Sequence, residues 1–204
     1  MTIKDAYEVA GLVSTGGSPK WKDHVPKQDA VVVERLTAAG ANLFGKTNVP
    51  LLSGDWQSYN EIFGVTNNPW DHTKTPGGSS GGAAAALAAG LTPLEVGSDI
   101  GGSIRIPAHF CGVYGHKPSY GLVPMRGHLP PPPGSLSEND SITVAGPMAR
   151  SAADLELALS ILAGPRSSEG KGWRLNLPPP RQQQLKDFRI ALWPGDNFLS
   201  LIHI

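Results

Sequence analysis

Between residues 29 and 40 apolar side chains recur at helical spacing, with Val31, Val32, Leu36 and Ala39 on one face. Asp29 stands where an N-cap belongs and Gly40 where a left-handed stop belongs, so the pattern predicts a capped helix. Residues 41–45 read as a short buried strand after it, and helix-then-strand order is the unit of layered α/β sheets. From 47 to 76 polar, aromatic and turn residues mix without sustained period. That stretch is too long for an ordinary connector and is expected to form a functional surface.

Beyond it, alanines predict a short helix over 83–89, introduced by the glycine- and serine-rich run 77–82 and closed by Gly90. Residues 94–97 and 113–116 read as strands, and the prolines of 130–134 as a stiff polyproline piece on a surface rim. Leu155, Leu159 and Leu162 form an apolar stripe over 151–163. Ser151 and Asp154 sit at capping-box-like spacing, and Gly164 and Pro165 end this helix. Residues 166–187 are polar and rich in proline and glutamine, as a linker is, and 188–193 begin a new strand. No internal repeat is present.

Composition narrows the class. Lysine plus arginine equals aspartate plus glutamate at 17 each, giving a net charge of zero over 204 residues. A nucleic-acid or anionic-membrane surface needs a basic surplus, so neither partner is expected. The 25 glycines and 19 prolines exceed average usage but fall short of a disordered composition, since 40% of the chain is apolar. Cys111 is the single cysteine, which leaves no internal disulfide and no zinc-type pattern. A reducing cytoplasm is the expected compartment. The apolar runs are too short to span a bilayer, and residues 1–5 lack the layout of a secretory signal.

Two glycine-rich segments hold the candidate chemistry. The first, 77–82, runs into Ala83 where a Walker loop needs Lys-Ser/Thr, and it lacks the dinucleotide fingerprint. Gly77, Ser79 and Gly81 satisfy Gly-x-Ser-x-Gly, but the preceding residues 71–76 are not the hydrophobic strand that a nucleophile elbow requires. In the second segment Ser103 follows Gly101 and Gly102, which lets a carbonyl approach backbone N–H groups closely, as in an oxyanion hole. A serine nucleophile needs a base. His109, His116 and His128 stand in no recognisable triad setting and are expected to be structural or surface residues. A lysine kept neutral by burial can serve instead.

The segments 77–83, 97–107, 110–113 and 115–119 together resemble the amidase signature. The likeness extends to Ile3-Lys4-Asp5, Gly45-Lys46-Thr47-Asn48, Asn67-Asn68-Pro69-Trp70 and the run 145–150. The resemblance implies an α/β amidase signature fold, a mixed twisted β-sheet core flanked by helices and incomplete here. It implies an amide hydrolase that cleaves a carboxamide to carboxylate plus ammonia or amine through a serine acyl-enzyme. Ser103 matches the nucleophile, Ser79 the bridging serine after a cis peptide bond, and Lys4 the base. The N–H groups of Ile100, Gly101, Gly102 and Ser103 match the oxyanion hole. Ser80, Asp99 and Arg105 match residues that hold the loops. No metal and no cofactor are implied; the partner is a small-molecule amide, with a homodimer as an open state of the full-length enzyme.

Within that family a stand-alone amidase is expected over the glutaminase subunit of the tRNA-dependent amidotransferase. Residues 49–56 depart from the usual acidic, Phe- and Met-containing stretch of that subunit, Ile106 replaces a polar residue, and the run 130–133 is additional. The other alternative is an inactive fragment. Family members exceed twice this length, so 1–165 is expected to form the N-terminal part of the catalytic domain and 188–198 to open its C-terminal half. Lys4 lies close to the first residue, a poor place to bury a base. Residues 199–204 match the translation of the mosaic-end adapter of transposon-based sequencing libraries, so the native chain is expected to continue beyond residue 197 or 198 with a different sequence. Weak activity and poor solubility are expected of such a piece.

Overall fold

The computed structural model describes residues 1–135, 142–182 and 184–189. Its elements are short. β1 (Thr2–Lys4) pairs in parallel with β2 (Gly45–Thr47), placing Lys4 opposite Thr47. Between them α1 (Val31–Ala38) packs Val31, Val32, Val33 and Leu36 into the interior. β3 (Tyr59–Asn60) and β4 (Gly64–Val65) form a small antiparallel hairpin within the aperiodic stretch. Next come α2 (Gly81–Ala88), β5 (Leu94–Asp99), α3 (Arg105–Cys111) and β6 (Tyr114–Gly115). β7 (Val144–Ala149) and α4 (Ala152–Leu162) follow. β7 lies between β5 and β6 and runs antiparallel to both, with Asp99 opposite Val144 and Leu94 opposite Ala149.

The α/β arrangement with mixed sheets and flanking helices is present. One core cluster joins Ile3, Tyr7, Val32, Leu36, Val96, Ala145 and Leu162, thereby fixing β1 and α1 against β5, β7 and α4. The second joins Ala83, Ala84, Leu87, Ile104, Ala108, Cys111 and Met148. Small alanines on α2 let that helix lie close to α3, and burial of this kind contributes roughly 25 cal/mol per Å² of apolar surface. Lys4 is fully buried between these layers. Its nearness to the first residue does not expose it, because β1 has β2 alongside and β5 packed against it.

Several local expectations are corrected. Asp29 does not cap α1: Ala30 occupies the N-cap position without a side-chain bond, while Asp29 Oδ1 accepts from the N–H of Ala10 at 2.7 Å. The strand expected over 41–45 begins only at Gly45, since register with Thr2–Lys4 sets its limits. α3 and β7 were hidden by Pro107 and by Gly146-Pro147, residue types rare within such elements. Ser151 does cap α4, accepting from the N–H of Asp154 at 3.1 Å and donating to its carboxylate at 2.7 Å. The proline run lies half-buried to exposed at the surface, but two cis bonds, at Leu129–Pro130 and Pro130–Pro131, interrupt the polyproline form. Among the described residues of 166–189 the only helical or strand element is a 3-10 turn at Leu185–Asp187, preceded by hydrogen-bonded turns over 167–172. Phe188 and Arg189 lie in no strand; residues 190–193 and 199–204 lie outside the described residues. No described helix is long and apolar enough to cross a membrane.

Candidate active site

Lys4 ends β1, and its amine has left water entirely. Nζ lies 2.6 Å from Ser79 Oγ and 3.0 Å from Ser98 Oγ. Burial drives its pKa from 10.5 down to about 7, against the opposing pull of Asp99 and Glu95. Near neutral pH much of Lys4 is therefore an uncharged amine with a free electron pair, the form in which a lysine can take a proton.

Ser79 is delivered to that amine by the first glycine-rich loop. The Gly78–Ser79 peptide bond is cis. At Gly78 a side chain is sterically excluded, because a Cβ would stand 2.4 Å from Gln57 O and 2.6 Å from Gln57 N. At Gly82 the first turn of α2 presses on Asn48, with 2.4 Å from a Cβ to its backbone nitrogen. These two contacts require glycine for close backbone approach; φ is not the constraint at either. Ser58 ties the loop from below, with Oγ donating to Gly77 O at 3.1 Å and accepting from the Gly81 N–H at 3.0 Å.

The second loop carries Ser103. The N–H of Ser80 donates to Ser103 O at 3.1 Å, so the two loops meet directly. Ser80 Oγ also reaches back to the Ser98 backbone, at 3.4 Å to both N and O. Ser103 Oγ forms no hydrogen bond to Ser79 among the described residues.

Asp99 organises this loop. Its carboxylate accepts from the N–H groups of Gly102 at 2.8 Å, Ile104 at 3.0 Å and Arg105 at 3.3 Å. Arg105 completes a fork, Nε to Oδ2 at 3.1 Å and Nη2 to Oδ1 at 3.0 Å. Burial alone would raise the Asp99 pKa, but Arg105 and the N–H donors together hold it below the ordinary 3.8. The Gly102 N–H is committed to Asp99, whereas those of Ile100, Gly101 and Ser103 have no acceptor among the described residues.

Three residues at this site were not legible beforehand. Ser98 shares Lys4 with Ser79. His128, expected to be structural or surface, is buried with Nε2 2.8 Å from Ser98 Oγ. Glu95 is buried on β5, where burial raises its pKa to about 7. Ser98 stands inside the recognised motif and offered that much signal. His128 offered none, because only tertiary closure brings it to β5. Beside the second loop, Trp56 is 60% exposed and its Nε1 donates to Gly101 O at 3.1 Å, next to the half-exposed Ile100. Among the described residues no group of three His, Cys, Asp or Glu side chains gathers as a metal site.

The family model Amidase matches residues 1–201, and the chain belongs to that family. It is 42% identical over 193 residues to the A-type glutamyl-tRNA(Gln) amidotransferase subunit of Saccharolobus solfataricus, covering 94% of this chain and 39% of that one. To human fatty-acid amide hydrolase 2 it is 44% identical over 165 residues, 81% of this chain and 30% of that one. The native peptide amidase of Stenotrophomonas maltophilia superposes with a TM-score of 0.73 at 35% identity, covering 83% of this chain and 34% of that one. The chain thus spans about two fifths or less of the length of these relatives.

Proposed function

We propose that this chain carries the reaction centre of an amide hydrolase, with Ser103 as nucleophile, Ser79 as proton relay and Lys4 as base. The observation that carries the reading is the 2.6 Å bond between Lys4 Nζ and Ser79 Oγ in a site without water contact. Neutral Lys4 accepts the Ser79 proton while Ser79 takes that of Ser103. Ser103 Oγ bonds to the amide carbon, and the carbonyl electron pair moves onto oxygen, where the N–H groups of Ile100, Gly101 and Ser103 receive it. As the C–N bond breaks, the proton on Lys4 returns through Ser79 to the leaving nitrogen. Water then attacks the Ser103 ester by the same relay and releases the carboxylic acid. Ser80, Asp99 and Arg105 hold the two loops in register.

The substrate under this reading is a small amide admitted past Trp56 and Tyr59, in an enzyme of the cytoplasm that needs no metal or cofactor. A stand-alone amidase remains the favoured form, on the departures at 49–56, Ile106 and 130–133. A second reading, the glutaminase subunit of an amidotransferase, is favoured by the similarity to the archaeal protein along 94% of this chain. The two part cleanly in an assay of ammonia release by the whole protein. Turnover of simple aliphatic or aryl amides by the protein alone, lost in Ser103→Ala, supports the first. Turnover of glutamine alone, and only when partner subunits are present, supports the second.

A further inference from the structure

Away from Ser79, Lys4 continues into a run of hydrogen bonds that the relay above does not use. Ser98 Oγ lies 3.0 Å from Lys4 Nζ and 2.8 Å from His128 Nε2, and His128 Nδ1 lies 3.2 Å from the carbonyl oxygen of Pro130. All three side chains are buried. Tyr7 braces the imidazole edge-on at 5.1 Å, and is itself held by its hydroxyl, which donates to Gly97 O at 2.8 Å.

Donor arithmetic gives this run a direction. A carbonyl oxygen only accepts, so Nδ1 carries the ring proton and Nε2 is an acceptor. Burial, with Lys4 nearby, presses the His128 pKa down to about 3, so the ring is neutral wherever Lys4 can act. The one proton of Ser98 is then spent on Nε2, and the Ser98 oxygen meets Lys4 with lone pairs only. Neutral Lys4 has two N–H groups and one electron pair. A Ser98 hydroxyl free to turn would donate to that pair and compete with Ser79 for it.

We propose that His128 is a positioning residue: by fixing the direction of the Ser98 hydroxyl it reserves the electron pair of Lys4 for Ser79. The proposal rests on the reading of Lys4 as the base. Asp99 and Glu95 from β5 act on the Lys4 charge, Tyr7 from the segment after β1 touches the His128 ring, and none of them is altered in the test.

The test uses the whole protein and a fluorophosphonate probe, which bonds to an activated serine without the substrate being known. Its labelling rate at Ser103 is followed across pH in wild type, His128→Phe, Ser98→Ala and the double variant. His128→Phe keeps an aromatic volume but removes the acceptor. Labelling should slow about tenfold, the worth of one competing hydrogen bond. The midpoint of the acid limb should move to lower pH, because a hydroxyl donating to the amine favours its neutral form. In the Ser98→Ala background the same substitution should change neither rate nor midpoint. An unchanged rate and midpoint in His128→Phe, or equal losses with and without Ser98, overturns the proposal. Nitrogen NMR of His128 answers without any substitution: the Nδ1–H tautomer throughout the active range is expected, and an Nε2–H tautomer or an imidazolium overturns it. Failure of wild type to label at Ser103, or labelling undiminished in Lys4→Met, instead overturns the reading of the base itself.

Discussion

Replacing Lys4 by methionine keeps an unbranched chain of similar length and removes an amine that the fold buries completely. The folded protein binds the lysine proton with a pKa of about 7, whereas an unfolded lysine has the ordinary 10.5. Between those values the unfolded state carries more protons, so the stability of wild type rises with pH through the window. At about 1.4 kcal/mol per pH unit the rise amounts to on the order of 5 kcal/mol. Glu95 acts in the adjoining window with the opposite sign. Burial raises its pKa from 4.5 to about 7, with the Val96 N–H offsetting only part of that. Over this range the folded state carries the extra proton, and stability falls by on the order of 3 kcal/mol as pH rises. Wild type should therefore show a stability minimum near neutral pH. Urea unfolding at a series of pH values measures it. Lys4→Met should lose most of the rise on the alkaline side, keeping the part owed to Lys46, whose burial also lowers its pKa, and should retain the fall on the acid side, while Glu95→Gln should do the reverse. An alkaline rise of equal size in wild type and Lys4→Met would refute the burial argument.

Other substitutions test the supports of the site. Gly78→Ala forces a Cβ against the Gln57 backbone at 2.4 Å and should cost about 1–3 kcal/mol, read as a lowered Tm together with lost fluorophosphonate labelling. Asp99→Asn removes the charge that gathers Arg105 and three backbone donors; labelling of Ser103 should fall more than tenfold, since at least one charge-assisted bond worth about 1.5–3 kcal/mol is lost. Ser151→Ala removes the cap of α4 and should lower stability by about 1 kcal/mol in urea titration with labelling unchanged.

What could be read beforehand followed the range of the interactions involved. α4 was legible because its cap, stripe and stop are all local: Ser151, the leucines, then Gly164. The strand at 41–45 was misplaced because apolar content favoured Ala41, Leu43 and Phe44, whereas pairing with β1 selects Gly45–Thr47. Lys46 can sit within that strand since its amine meets Asp5 at 2.6 Å and the Tyr7 carbonyl at 2.8 Å. β7 was invisible because Gly146 and Pro147 oppose strand formation in general. Here the glycine is required, as a Cβ would fall 2.1 Å from His116 O. At the site, Gly101, Gly102 and Ser103 suggest a backbone oxyanion site by themselves, whereas Lys4 is legible only through the resemblance of its motif, since 75 residues separate it from Ser79. His128 reaches Ser98 across 30 residues with no local pattern to announce it.

In the proposed reaction the oxygen that bonds to the substrate carbon is Ser103 Oγ. Mass spectrometry of the whole protein, quenched with acid during turnover of an aryl amide, tests it most directly. An acyl group on the peptide carrying Ser103, absent from Ser103→Ala and slow to form in Lys4→Met, is the predicted result. An acyl group on Ser79, or undiminished turnover by Ser103→Ala, would contradict the account.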